Sequence, residues 1–126
     1  MKSFLFFGLF FGISQVFAQD LKLNNLRCEY KVDPLGIESR SPKLSWEIQS
    51  SGSGVLQTAW RALVSEDSVS LEKNVGTVWD SHKTLSDASI QVSYGGSALA
   101  PAKIYYWKVM VWGNHGDSSR WSRVAR

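Results

Sequence analysis

Residues 43–49, KLSWEIQ, alternate without a break: Leu44, Trp46 and Ile48 fall on one side, and Lys43, Ser45, Glu47 and Gln49 on the other. A period of two sends successive side chains to opposite faces of a β-strand, whereas on a helix it would scatter them, so this segment reads as a one-sided strand. Short alternating runs of this kind recur between turn residues, and no stretch of useful length carries a helical period. Residues 57–65, QTAWRALVS, put Trp60, Ala62 and Val64 in one register and Arg61 and Leu63 in the other. Further strands are expected at 21–30, with Leu26, Cys28 and Tyr30 on one face, and at 77–81. Others follow at 89–94, with Ile90, Val92 and Tyr94 inward, at 99–112 and at 120–126. Residues 67–76 fit either a strand edge or a helical turn. DPLG at 33–36 supplies a turn, SSGSG at 50–54 a flexible loop, and Gly95-Gly96 and GNHGD at 113–117 further breaks. About seven strands spaced in this way predict an all-β sandwich.

The start of the chain is read differently. A short basic segment (Met1, Lys2, Ser3), an apolar run at 4–13 and Val16-Phe17-Ala18 match a secretory signal peptide at 1–18, cut after Ala18. The apolar run is too short for a helix, which needs about 20 residues to cross a bilayer, so no membrane span is expected after cleavage. The mature domain is then 19–126, exported to the periplasm or the exterior. Losing Lys2 leaves 13 of the 14 basic residues against 11 acidic ones, a net charge of +2 without any run of like charge. No basic stripe exists for a nucleic-acid partner. One cysteine, Cys28, excludes an internal disulfide and reads as a small buried hydrophobe. The last run stops where a sandwich needs a complete final strand, so the domain is expected to be truncated at its C-terminus, with the edge of the 99–112 strand left open.

Chemistry of its own is hard to place in this chain. A glycosidase needs two facing carboxylates, yet the acids sit singly on outward positions or turns: Glu47 beside Trp46, Asp80 at a strand end, Asp87 and Asp117 in loops. Asp80 with His82, and His115 with Asp117, are pairs, short of the three or four ligands a zinc site needs. There is no G-x-S-x-G nucleophile elbow and no phosphate-loop spacing. No catalytic residue, metal or cofactor is expected.

The rings are the remaining signal. Trp46, Trp60, Tyr105 and Trp107 fall in registers that fill the space between two sheets, and Trp79 and Trp121 are expected to cover the sandwich ends. In LAPAKIYYWKVMVW, 99–112, Tyr105, Trp107, Val109 and Val111 share one face. Tyr106, Lys108, Met110 and Trp112 form a second row that points outward with Arg61 and Leu63 from the neighbouring strand. A large apolar row on a face that should be wet marks a contact surface, for another domain or for sugar rings.

LSW at 44–46, WRALV at 60–64 and L-x-P-x-x-x-Y-x-W-x-V-x-V at 99–111 together resemble a fibronectin type III domain. In that fold the residue matching Tyr105 packs its ring in the core and bonds its hydroxyl to upstream backbone, with Leu99 and Pro101 setting up the corner. More narrowly, PLGI, LSW, QTA, WDS and YYWKV at these spacings are similar to the N-terminal immunoglobulin-like domain of bacterial α-L-rhamnosidases, glycoside hydrolase family 78. This chain has Asp33 where the family usually has Asn, and His82 where it usually has Gly at a position that favours φ > 0. The resemblance implies a non-catalytic accessory module, since the family's catalytic carboxylates lie on a downstream helical barrel that this chain lacks. It implies neighbouring domains of the parent enzyme as partners. Two other readings stay open: a carbohydrate-binding module stacking rhamnose-containing glycans on Trp112 and Tyr106, and a generic spacer of another cell-surface protein.

Overall fold

The computed structural model describes residues 21–29, 41–50 and 54–126. The expected signal peptide at 1–18, the expected turn at DPLG, Tyr30 and residues 51–53 of the serine-glycine stretch lie outside the described residues. The two cleanest alternating runs become strands over their whole length, β2 (Lys43–Gln49) and β3 (Gln57–Ser65). One sheet has the order β1 (Lys22–Cys28), β2, β6 (Val92–Ser93), all antiparallel. In the other, β3 is central. It pairs on one side with β7 (Tyr106–Gly113), and on its other side with β4 (Trp79–Asp80) and then β5 (Thr84–Leu85). The inner faces enclose one core, in which Leu26, Leu44, Trp46, Trp60, Val92 and Trp107 are all buried. The architecture is the expected immunoglobulin-like sandwich.

Local departures from alternation have identifiable causes. Leu23 and Leu26 both pack on the core although an odd spacing separates them. A bulge between Asn24 and Arg27, with Asn25 at φ 51°, inserts the extra residue that allows it. Ile90 is 66% exposed rather than inward, because Gln91 turns through φ 55° and flips the face before Val92 and Tyr94. Residues 99–105 do not extend β7. Pro101 has no N–H to give to a ladder and Ala102 sits at φ 56°, so the stretch is a turn that delivers Tyr105. There the Ala100 N–H donates to the Tyr105 hydroxyl at 2.8 Å, the expected corner. Residues 67–76 resolve as a helical turn, α1 (Ser68–Glu72), capped by Asp67 accepting from the Ser70 N–H at 2.7 Å.

The rings form a chain through the core. Trp46 and Trp60 meet edge to face at 5.9 Å, Trp60 and Trp79 at 6.1 Å, and Trp79 and Tyr94 at 5.1 Å. Trp79 thus belongs with the core rings. Burying an indole N–H costs free energy unless it is bonded. Trp46 Nε1 donates to Gln57 Oε1 at 2.9 Å, and Gln57 Nε2 donates to the carbonyls of Ser86 (3.0 Å) and Ala88 (2.8 Å).

The edge of β7 is not open. Residues 118–125 run beside it, although only Trp112 with Ser118 and Trp107 with Ala125 form bridges. Between these, Ser119 and Ser122 give their N–H groups to the carbonyls of Val111 and Val109, each at 2.8 Å. Their hydroxyls accept from the same two residues' N–H groups, at 2.9 and 3.0 Å. A serine hydroxyl stands in for a carbonyl at each step, so the edge is covered without a regular ladder.

Candidate functional site

The outward rows of β3 and β7 lie side by side, with Ser65 opposite Tyr106, Leu63 opposite Lys108, Arg61 opposite Met110 and Ala59 opposite Trp112. This is the surface the alternation predicts, yet much of it is covered by the chain itself. Leu63 is 0% exposed and Lys108 only 5%. The α1 segment packs on β3 and β7 and brings with it the buried Leu71 and, just beyond the helix, the exposed Asn74. Lys108 Nζ donates to Asn74 Oδ1 at 2.6 Å. Burial lowers the Lys108 pKa from the ordinary lysine value. Leu63 and Lys108 therefore offer no surface of their own; Tyr106, Met110, Trp112 and Arg61 stay part-exposed.

The rings on this face have partners too. Trp121 does not close a sandwich end; it lies on the outer face, with Lys108 Nζ 4.8 Å and Arg61 Cζ 5.7 Å from its ring centre. Lys83 Nζ sits 4.8 Å from the ring centre of Trp112. Each indole is thus under a cation, an attraction of roughly 0.5–2 kcal/mol depending on desolvation.

The WDS segment organises the cations. Trp79 goes into the core, and Asp80 on the outer face takes Arg61 in a bidentate pair, Nε to Oδ1 at 3.0 Å and Nη2 to Oδ2 at 2.7 Å. The Ser81 hydroxyl accepts from the Ala62 N–H at 2.8 Å and so closes β3's edge where β4 ends. His82 is at φ 54°, in the left-handed region foreseen for that position, and its N–H donates to Asp80 Oδ1 at 2.8 Å. The hydrogen bond from Arg61 is the main cause holding the Asp80 carboxyl below its ordinary pKa, and the same bond raises the pKa of Arg61.

A depressed folded-state pKa gives stability that is complete above the unfolded value of 3.8 and is lost as pH falls through the folded value. Because both side chains are partly exposed, the pair is worth about 1 kcal/mol. Asp80→Asn should cost about that much at neutral pH, and its deficit relative to the parent should shrink as acid unfolding curves are taken below pH 4.

The other described carboxylates that have bonds serve the fold. Glu47 accepts from Asn25 at 2.8 Å, Asp67 caps α1, and Glu66 pairs with Lys103. No group of three or more metal-ligating side chains occurs among the described residues. Cys28 is half-buried and packs against the core; burial pushes its thiol up to about 11, which keeps it protonated and unreactive at neutral pH. Sequence reasoning found the outward row but missed Asn74, Lys83 and Asp80 as its partners. The WDS segment was the available signal for Asp80, whereas Asn74 and Lys83 lie in polar loops that carry no period.

Fold and surface together define an immunoglobulin-like β-sandwich module whose rings and charges are largely engaged with one another. Residues 23–126 match the family described as the Rha78A-like, N-terminal immunoglobulin domain, and the chain belongs to that family. Among curated relatives, a protein named Alpha-L-rhamnosidase from Formosa agariphila is 37% identical over 108 residues, 86% of this chain and 11% of that protein. One of the same name from Streptomyces avermitilis is 37% identical over 102 residues, covering 81% and 10%. The crystal structure of Streptomyces avermitilis alpha-L-rhamnosidase complexed with L-rhamnose superposes with a TM-score of 0.79 at 36% identity, over 83% of this chain and 10% of that one. The chain thus spans about a tenth of the relatives it matches.

Proposed function

We propose that the chain is the non-catalytic N-terminal module of an exported α-L-rhamnosidase and that it works by packing against and orienting its neighbours. The observation that carries this is the outer face of the β3–β7 sheet. Tyr106, Met110, Trp112 and Arg61 stay part-exposed on a sheet already braced by α1 and Trp121, a rigid apolar and cationic surface suited to an adjoining domain. Relatives about eight times the length supply the setting, and the signal-peptide pattern at 1–18 supports export. Sugar stacking fits less well, because Lys83 already lies over the Trp112 ring.

The test is Tyr106→Ser with Trp112→Ser in the full-length enzyme. The expected result is a lower unfolding temperature and a looser domain arrangement in solution scattering. Unchanged stability and arrangement would sink the packing role. Retardation of the wild-type module, lost in the double variant, on electrophoresis through rhamnose-containing polysaccharide would favour sugar binding instead.

A further inference from the structure

We propose that signal-peptide removal completes the fold at one point: the α-ammonium of Gln19, freed by the cut after Ala18, pairs with the buried carboxylate of Asp117. The inference rests on the signal-peptide reading and goes beyond the packing role. Both carboxylate oxygens of Asp117 are buried, and neither accepts a hydrogen bond from any described residue. Burying an ionised carboxylate is costly unless a donor meets it. The nearest groups in the chain are committed elsewhere. The Gly113 N–H donates to the Asp117 backbone carbonyl at 2.8 Å, and the Ser119 N–H to the Val111 carbonyl at 2.8 Å. Asn114 accepts from the Leu56 N–H at 2.9 Å and donates to the Gly54 carbonyl at 3.0 Å. His115 turns to that same carbonyl, 3.4 Å from its Nε2. What stands beside the carboxylate is Leu21. A Cβ placed on Gly113 would lie 3.0 Å from Asp117 Oδ1 and 3.1 Å from Leu21 Cδ1. Leu21 is buried, so the chain is anchored there, and Gln19 precedes it by two residues. Two residues span at most about 7 Å, which brings the new terminus within reach of Asp117. Before cleavage the Gln19 nitrogen is a neutral peptide amide with one N–H. After cleavage it is a cation with three, and charge-assisted bonds are about twice as strong as neutral ones.

Mass spectrometry of the exported full chain identifies its first residue. A terminus other than Gln19 overturns the signal-peptide reading and the pairing with it; with Gln19 confirmed, the next step tests the pairing alone. Thermal unfolding is measured before and after Gln19 is cyclised. In that reaction the α-nitrogen bonds to Cδ of the same residue and ammonia leaves, so the terminal charge is lost and no lysine is touched. The comparison is made in the parent, in Asp117→Asn and in Asp20→Asn, the last because Asp20 is a second carboxylate beside the terminus. Cyclisation should lower the midpoint by at least about 4 °C in the parent and in Asp20→Asn, and leave Asp117→Asn unmoved. An indifferent parent would overturn the proposal, because a water or another donor would then serve Asp117. So would an Asp117→Asn chain that responds like the parent, or an Asp20→Asn chain that does not respond. Should Asp117→Asn fail to fold, the α-amine is titrated by NMR in Asp20→Asn. A pKa above the usual range of about 7.7–8.0 for chain termini supports the pair, and a value within that range refutes it.

Discussion

Trp46→Ala should lower the stability of the sandwich by about 3–5 kcal/mol, the range for removing a fully buried large ring. Trp46 is 1% exposed at the centre of the core. Its loss would leave a cavity against Trp60 and strip Oε1 of the Gln57 side chain of its donor, an uncompensated polar atom in an apolar setting. Whole domains are stable by only about 5–15 kcal/mol, so the variant stands near the limit of folding. At about 4–8 °C per kcal/mol for a domain of this size, thermal unfolding followed by near-ultraviolet circular dichroism should shift down by more than about 12 °C. A shift of a few degrees would mean that the core closes over the gap. Trp46→Phe, which keeps one ring and loses the N–H donor and part of the indole's volume, should fall between the parent and the alanine variant.

Gly76→Ala is the second large effect, and it arises from space rather than backbone freedom. A Cβ at that position would stand 2.1 Å from the carbonyl oxygen of Trp79 and 3.3 Å from Cδ2 of Leu63. The first is backbone and cannot swing aside. Accommodation means lifting the loop between α1 and β4, which breaks the bond from the Val78 N–H to the Val64 carbonyl and uncovers Leu63. Overpacking alone costs typically 1–3 kcal/mol, and the lost pairing adds to it, so about 3 kcal/mol is expected in denaturant unfolding. Gly54→Ala has no atom within 4 Å to meet and serves as the comparison, its cost limited to a positive φ of 67°. If both variants cost the same, the clash at Gly76 is absorbed by the loop.

How far the fold could be read from the chain depended on length of pattern. β2 was legible to the residue because its alternation is unbroken over seven positions, and β3 because Trp60, Ala62 and Val64 keep one register in an apolar run bounded by a loop and by polar residues. β5, two residues of polar context, had no pattern to read, and it exists because β3's edge needs a partner. Three left-handed residues decided the rest: Asn25, Gln91 and Ala102 each reverse a face or end a strand, and none is a glycine that would announce it. Only His82 was foreseen, through the family resemblance. On the outer face the row itself was legible and its cover was not. Leu71 is a lone buried residue in a helix of five, too short to show a period. Trp121's place across β7 follows from the skewed register of residues 118–125, which hydropathy does not encode.

The course of residues 118–125 along β7 also decides how the module would bear a pull. Leu21 lies within reach of Gly113 at one end of the sandwich, and Ala125 pairs with Trp107 at the other, about 20 Å away along β7. The first and last described strands therefore leave in opposite directions, along the strand axes. Tension between them slides β1 against β2, loading the pairs from Lys22–Gln49 to Cys28–Leu44 together in shear. At the far end the same axial force loads the bonds of residues 118–125 to β7, from Ala125 back to Ser119, in shear as well. A module stretched between these two segments would therefore resist along both sheets at once rather than unzip from one edge.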